Sequence, residues 1–256
     1  MDKPTKELLD AYYYGSYWAF RHYEKIIGKA FRCLPWKPER AVEVGCGGGM
    51  ATLFLSQQVR ELICIDTDEA CIKTAEDMIK RAGIRNVVFR RTDLERISLE
   101  EEVDLLFFKD VLHHMHSPVD YLRSCLPFSK GLLIVEANRY NPLLYWICKN
   151  VKEERQFLEM NSLRNIVRMV EKAGWRHEKS RYVECAAYPM GYCFYHDVFK
   201  SKRIVKPAME ALGRLYEQRF VSTLIDKSED VLEKLFLPFC SEFIITATRA
   251  ASRGNR

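Results

Sequence analysis

The segment Glu43-Val44-Gly45-Cys46-Gly47-Gly48-Gly49 follows the apolar run Ala41–Val44. Four glycines in five positions neither extend a strand nor start a stable helix. Between a strand and a helix, they turn the backbone tightly and bring its amides close to a ligand. Counted from Gly45, the dinucleotide fingerprint G-x-G-x-x-G/A needs Gly or Ala at position 50, where this chain has Met50. The pattern is E-x-G-x-G-x-G, and its leading acid suits a cationic amine better than a pyrophosphate.

Around this loop, short apolar runs alternate with amphipathic segments. Ala41–Val44, Leu62–Ile65, Val87–Phe89, Val103–Phe108 and Leu132–Val135 read as strands. Ile72, Ala75, Met78, Ile79 and Ala82 recur at helical spacing, and Gly83 is a stop signal. The alternation predicts βαβ units around a buried parallel sheet. Asn161-Ser162 caps a helix expected to run to Ala173, with Gly174 just beyond. Further strands are expected at Arg181–Ala186 and Phe243–Thr248. Residues 5–33 read as helical, with an aromatic band of Tyr12, Tyr13, Tyr14, Tyr17, Trp18, Phe20 and Tyr23. Most of that band is expected to pack the core, with part of it lining a pocket.

Two acids fall in register with the loop. Asp66 ends the second strand, where a carboxylate can accept the hydroxyls of a ribose, and Asp93 follows the third, where one can accept an adenine amino group. Open sheets bind ligands at this edge.

The pieces EVGCGGG, CIDTD, AGIRNVVFRRTDLE, VDLLFFKDVLHHM and GLLIVEAN, in this order, resemble the core of class I S-adenosylmethionine-dependent methyltransferases over residues 39 to 136. The resemblance implies an α/β, Rossmann-like, seven-stranded, mostly parallel sheet with helices on both faces and an antiparallel last strand. It implies S-adenosylmethionine as cofactor. Glu43, Gly45, Cys46 and Gly47 would hold its methionine part, Asp66 and Thr67 the ribose, and Asp93 and Leu94 the adenine, with Lys109 as a further contact. Lys130-Gly131 stands where many relatives have Pro-Gly-Gly, a change expected to alter only a turn.

Lys109-Asp110-Val111-Leu112-His113-His114 follows the fourth strand, where the methyl group should lie. His113 or His114 is the candidate base, weighed against a buried structural histidine, and Asp110 is a candidate contact to the amino group or the acceptor. His113, His114 and His116 lack metal-ligand spacing, so no metal is expected there. Asp110, Glu136 and Asn138 form an oxygen-rich set resembling the Mg²⁺ site of catechol-type relatives, and they are kept as a variant.

The expected organisation is an N-terminal helical cap (1–38), the core (39–186), a helical lid insert (187–236), and a final strand with a basic tail (237–256). Tyr13 and Tyr17 of the cap, with Tyr192 and His196 of the insert, are the expected acceptor contacts. The net charge of +5 comes wholly from residues 151–256. That is too little to argue for nucleic acid, and Lys200, Lys202 and Arg203 would put part of it at a pocket mouth. Nine cysteines without a C-x-x-C, a charged N-terminus and no apolar run of membrane-spanning length predict a cytoplasmic protein without stable membrane insertion. The acceptor is expected to be a small molecule, methylated at oxygen, nitrogen or carbon, and the sequence does not fix the oligomeric state. Two other readings are a non-catalytic S-adenosylmethionine sensor and a methyltransferase of a lipid or isoprenoid acceptor at a membrane surface. The last rests on Leu143-Leu144-Tyr145-Trp146-Ile147 and the basic insert.

Overall fold

The computed structural model describes residues 4–13, 17–92, 102–149, 155–185, 215 and 218–250. Tyr14, Asp93, Leu94, Tyr192, His196, the basic run 200–203 and the tail beyond 250 lie outside them. Seven strands are present: β1 (Arg40–Val44), β2 (Glu61–Asp66), β3 (Val87–Arg91), β4 (Val103–Lys109), β5 (Ser129–Ala137), β6 (Trp175–Val183) and β7 (Glu242–Arg249). They form one sheet in the order β3-β2-β1-β4-β5-β7-β6. The first five are parallel, and β7 runs antiparallel to both β5 and β6. This is the expected architecture.

Burial follows from position in the sheet. Strands β1, β2, β4 and β5 are apolar almost throughout because helices cover both faces. The two-residue period sorts their side chains. Ala41, Leu105, Phe107, Leu133 and Val135 pack on one face, Val42, Val44, Leu106, Phe108, Leu132 and Ile134 on the other. By the same parity Glu43 and Lys109 belong to the first face and Glu136 to the second.

The first face is covered by α1 (Lys6–Tyr12), α2 (Tyr17–Phe31), α3 (Thr52–Leu55) and α4 (Glu69–Arg81). Asp68 caps α4 by accepting from the amides of Ala70 and Cys71, and Gly83 ends it at φ +70°. The second face carries α5 (Pro118–Ser124) and α8 (Leu163–Lys172). Ser162 caps α8 through the Asn165 amide, and Gly174 follows at φ +97°, as the sequence predicts. Two short helices, α6 (Pro142–Lys149) and α7 (Arg155–Met160), follow β5.

Helix α9 (Arg219–Leu235), from the segment expected to be a lid, docks on α2 by charge. Arg21 and Lys25 meet Asp226 at 3.0 and 2.8 Å. Lys29 meets Asp230 at 3.3 Å and also pairs with the buried Glu233. Four-residue spacing puts the three cations on one stripe of α2. No helix among the described residues is long and apolar enough to cross a membrane.

Two expectations need correction. The sixth strand begins at Trp175, six residues before Arg181, because WRHEKSRYV is an edge strand whose polar residues face outward. Gly131 is not in a turn. It sits inside β5, paired with Leu105 and Thr248, and a Cβ there would lie 2.4 Å from the Trp36 ring and 3.0 Å from the Ala247 carbonyl oxygen. Gly131→Ala is therefore expected to destabilise the fold by about 1–3 kcal/mol, the usual cost of overpacking. Urea unfolding of the variant checks this, and an unchanged midpoint would contradict the packing.

Candidate active site

A cavity of about 580 Å³ opens where β1, β4 and β5 end under α1 and α2. That volume suits a small-molecule site. Its lining combines several chemistries. Glu43, Gly45, Gly47 and Gly48 line it with Ala70, Cys71 and Thr74 of α4. Lys109, Asp110, His113 and His114 line it too, as do Ala137, Leu144, Cys148 and Phe157.

The glycine loop is held from below. The amides of Gly45 and Cys46 donate to the Ile65 carbonyl at 2.8 and 3.1 Å, and the Gly47 amide donates to Asp66 Oδ2 at 2.7 Å. Asp66 Oδ1 accepts from the Asp68 amide at 2.9 Å, so this carboxylate links the ends of β1 and β2. Gly47 has φ +51°, and a Cβ at this position would meet no atom within 4 Å, so the loop leaves open space for a ligand. Cys46 is buried beneath it, and Thr67 is exposed just past Asp66.

Glu43 lines the cavity although it is almost wholly buried. Its Oε2 accepts from the Thr52 hydroxyl at 2.6 Å and the Cys64 thiol at 3.4 Å. Burial pushes its carboxyl up to about 7, against the lowering effect of these two donors.

Lys109 and Asp110 belong to a buried ion network joined by His22, Glu184 and Glu242. Lys109 Nζ lies 2.6 Å from both Asp110 Oδ2 and Glu242 Oε1. Burial opposes its charge, yet those two acids hold its pKa well above the usual lysine value. His22 Nδ1 lies 2.8 Å from Glu184 Oε2, and its Nε2 lies 3.8 Å from Glu242 Oε1. Burial would raise Glu184, but His22, with Lys25 and Lys29, holds it down to about 2. Glu242 is pushed up to about 7 by burial, with Lys109 and His22 working the other way. The ligand atoms of His22, Glu184 and Glu242 lie within 4.8 Å of one another, close enough for a metal ion. Lys109 already supplies positive charge at Glu242, while the buried Glu184 Oε1 and Glu242 Oε2 accept no hydrogen bond among the described residues.

The oxygen-rich set Asp110, Glu136 and Asn138 does not converge. Asp110 Oδ1 accepts from the Ala137 amide, while Asn138 Nδ2 donates to the carbonyls of Pro238 and Cys240. Glu136 points to the opposite face, accepting from the Val111 and Leu112 amides and lying 3.0 Å from His113 Nδ1. The Mg²⁺ variant therefore has no common centre. His113 is buried with its ring at the cavity wall; His114 lies beside it, 4.1 Å between ring centroids, and is exposed.

The two described aromatic acceptor contacts also shift. Tyr13 is fully buried among Phe20, Tyr23 and Phe54, and its hydroxyl donates to the Met50 carbonyl. Tyr17 stacks on Phe20. Neither lines the cavity, whereas Tyr12 and Tyr23 do, because helical phase turns those side chains inward. Sequence reasoning also misses His22, Leu144, Cys148 and Phe157. Their only signal is membership of amphipathic helices, which does not separate core from cavity.

Residues 42–128 match the family described as a methyltransferase domain. A ubiquinone biosynthesis O-methyltransferase of Roseobacter denitrificans is 26% identical over 149 residues, covering 52% of this chain and 60% of that protein. The chain thus spans less than two thirds of that relative's length. Among solved structures, a SAM-dependent methyltransferase from Aquifex aeolicus superposes with TM-score 0.50 at 19% identity, covering 62% of this chain and 82% of that one. The cyclase SpnF superposes with TM-score 0.58 at 14% identity, covering 88% and 81%. Residues 42–128 thus match a methyltransferase domain, and the strand order is the one implied by the resemblance to class I S-adenosylmethionine-dependent methyltransferases. The likeness to a cyclase shows that the fold does not by itself name a reaction.

Glu43 gives a test of this electrostatic picture. Its folded pKa lies above the ordinary 4.5, so the native state binds the extra proton between about pH 4.5 and 7. The stability tied to that proton is complete below this window and is lost as pH rises through it. Glu43→Gln removes the titration and is expected to gain up to ~3 kcal/mol relative to the parent at pH 8, but not at pH 4.5. Urea unfolding at the two pH values measures the difference, and equal shifts at both would refute the assignment.

Proposed function

We propose that this chain transfers the methyl group of S-adenosylmethionine to an oxygen of a small, largely apolar acceptor. The observation that carries this reading is one cavity lined both by the glycine loop and by His113, Leu144, Cys148 and Phe157. The name of the Roseobacter relative supports oxygen as the methylated atom. The cavity fits the cofactor because Gly47 leaves room above its backbone and Glu43 offers an acid to an amino group. Gly45, Cys46 and Gly47 would hold the methionine part beside Glu43, and Lys109 and Asp110 would bound its reactive end. Asp66 and Thr67 would meet the ribose, and both Asp66 oxygens keep a lone pair for it after accepting their amides. Asp93 and Leu94 remain the expected adenine contacts.

When bound, S-adenosylmethionine supplies an electrophilic methyl group on a sulfonium. The protein's contribution is to align the acceptor, exclude water and take one proton. Tyr12, Tyr23, Leu144 and Phe157 would enclose the acceptor's apolar part. His113 would take the hydroxyl proton as the oxygen acquires the methyl group. A cytoplasmic setting fits the eight described cysteines, all free, including Cys185 and Cys240 with their sulfurs 3.3 Å apart.

Radiolabelled methyl donor, incubated with the purified chain and a panel of phenols, alcohols and amines, is expected to label a phenol or another hydroxyl compound. His113→Ala should lower kcat about 10²-fold and leave S-adenosylhomocysteine affinity within about twofold. Cofactor binding without labelling of any compound would favour the sensor reading, and an unchanged kcat would remove His113 from the chemistry.

One observation favours a membrane-surface acceptor as a second reading. Tyr140, Leu143, Tyr145 and Trp146 are exposed, as are Phe236, Leu237 and Phe239. Asn141 ties the two segments together by donating to the Phe239 carbonyl at 2.8 Å. Amphipathic aromatics of this kind suit a lipid interface. Sedimentation with phosphatidylglycerol vesicles should carry the chain down, and Tyr145→Ser with Trp146→Ser should release it. No binding by the parent chain would exclude this reading.

A further inference from the structure

Glu136 lies near the end of strand β5, fully buried, where it accepts three N–H groups and faces the His113 ring. Oε1 accepts from the amides of Val111 and Leu112 at 3.1 and 2.9 Å. Oε2 accepts from Asn161 Nδ2 at 2.7 Å and faces His113 Nδ1 at 3.0 Å. We infer that Glu136 and Asn161 are positioning residues that hold His113 as the Nδ1–H tautomer, which makes Nε2 its basic nitrogen. This rests on the reading that His113 takes the acceptor's proton.

Three observations support the assignment. With both oxygens already accepting N–H groups, Glu136 meets the imidazole as an acceptor. An unprotonated Nδ1 would set two lone pairs against each other at hydrogen-bond distance in a buried site. Asn161 Nδ2 is 3.2 Å from His113 Nδ1. Asn161 Nδ2 makes its shorter bond, 2.7 Å, to the Glu136 oxygen, so the Nδ1–H form sets both N–H groups on one carboxylate oxygen. Finally, the frame is rigid. Asn161 is itself fixed by its amide on the Phe157 carbonyl and by the Arg139 amide on its own carbonyl. The Phe157 ring meets the imidazole edge-on, 5.9 Å between centroids, and His113, Glu136 and Asn161 are all buried.

The proton balance follows. As the acceptor oxygen bonds to the methyl carbon, the methyl–sulfur bond breaks and its electron pair returns to sulfur, giving a thioether. The acceptor's hydroxyl proton moves to Nε2, and the imidazolium so formed keeps Nδ1–H on the Glu136 carboxylate. Solvent later removes the proton from Nε2. Glu136 thus acts through His113 by fixing its tautomer and by facing the positive charge that forms.

The test combines spectroscopy with kinetics. In the S-adenosylhomocysteine complex, ¹⁵N NMR of the histidine-labelled protein should show His113 protonated at Nδ1. Glu136→Gln turns an amide N–H toward the ring and should switch it to the Nε2–H form. With catechol as acceptor probe, Glu136→Gln should lower kcat about 10²-fold, with acceptor KM and S-adenosylhomocysteine affinity within about twofold. Asn161→Ala should keep the parent tautomer and lose roughly threefold to tenfold in kcat, a mobility effect. Should Glu136→Gln fail to fold, the parent spectrum and Asn161→Ala still decide. An Nε2–H tautomer in the parent protein overturns the inference, and so does a folded Glu136→Gln enzyme with parental kcat. A parent chain that shows the Nδ1–H signal but methylates nothing would instead remove the proposed function while leaving the tautomer assignment intact.

Discussion

Burying carboxyl groups at the carboxyl-end edge of the sheet is the constraint around which this molecule is arranged. Glu43, Glu136, Glu184 and Glu242 are all almost fully buried there. An isolated carboxylate in such a place would cost several kcal/mol and would shift its pKa or recruit partners. Each position resolves the cost differently. Glu43 and Glu242 are pushed up to about 7 by burial, so near neutrality they bear only part of a charge. Glu136 is surrounded by N–H groups, and Glu184 is held down by His22, Lys25 and Lys29.

Those solutions dictate much of the surrounding architecture. Keeping Glu184 ionised requires His22, Lys25 and Lys29, so α2 must lie over the ends of β6 and β7. Lys25 and Lys29, with Arg21, then receive Asp226, Asp230 and Glu233 of α9. Glu229 and Glu233 also accept from the backbone amides of Cys185 and Glu184. The N-terminal cap and the last helix are thereby fastened at the point where the strand order reverses. The cavity inherits a wall of mixed charge from this fastening, because His22 and Lys109 serve both.

The fold is legible from residues 40 to 137 because burial there is set by local pattern. Apolar runs of strand length, a glycine loop after β1 and the capped helices α4 and α8 all carry their signals within a few residues. Strand β6 reads as starting too late because an edge strand spends polar residues such as Glu178 and Arg181 on solvent, and its alternation looks like loop. The site is less legible, since its decisive contacts span long distances along the chain. Asn161 is visible as a helix-cap neighbour, but nothing in its surroundings announces Glu136 as its partner 25 residues away. His22 meets Glu184 across 162 residues, and no periodicity records that meeting. Tyr12 and Tyr13 are adjacent and chemically identical. Helix phase and the position of α4 alone decide which one faces the cavity.

Backbone geometry adds a reason to regard the ion network as more than packing. Asp110 and Glu184 are the non-glycine residues with positive φ among those described, at +50° and +52°. Left-handed geometry costs an ordinary residue roughly 1–2 kcal/mol. Both are acids, both directly follow a strand, and both deliver a carboxylate into the same network with Lys109, His22 and Glu242. A chain packing only its core could turn those corners with glycine and avoid the strain. Here the side chain is needed at the corner. Asp110 must meet both Lys109 and the Ala137 amide, and Glu184 must meet His22 while its own backbone joins Ser241 and Glu233. Strain of this kind persists where surrounding contacts over-determine it, and it gathers at functional sites. Its position beside the cavity makes the network the rigid wall against which the His113 side of the site is set.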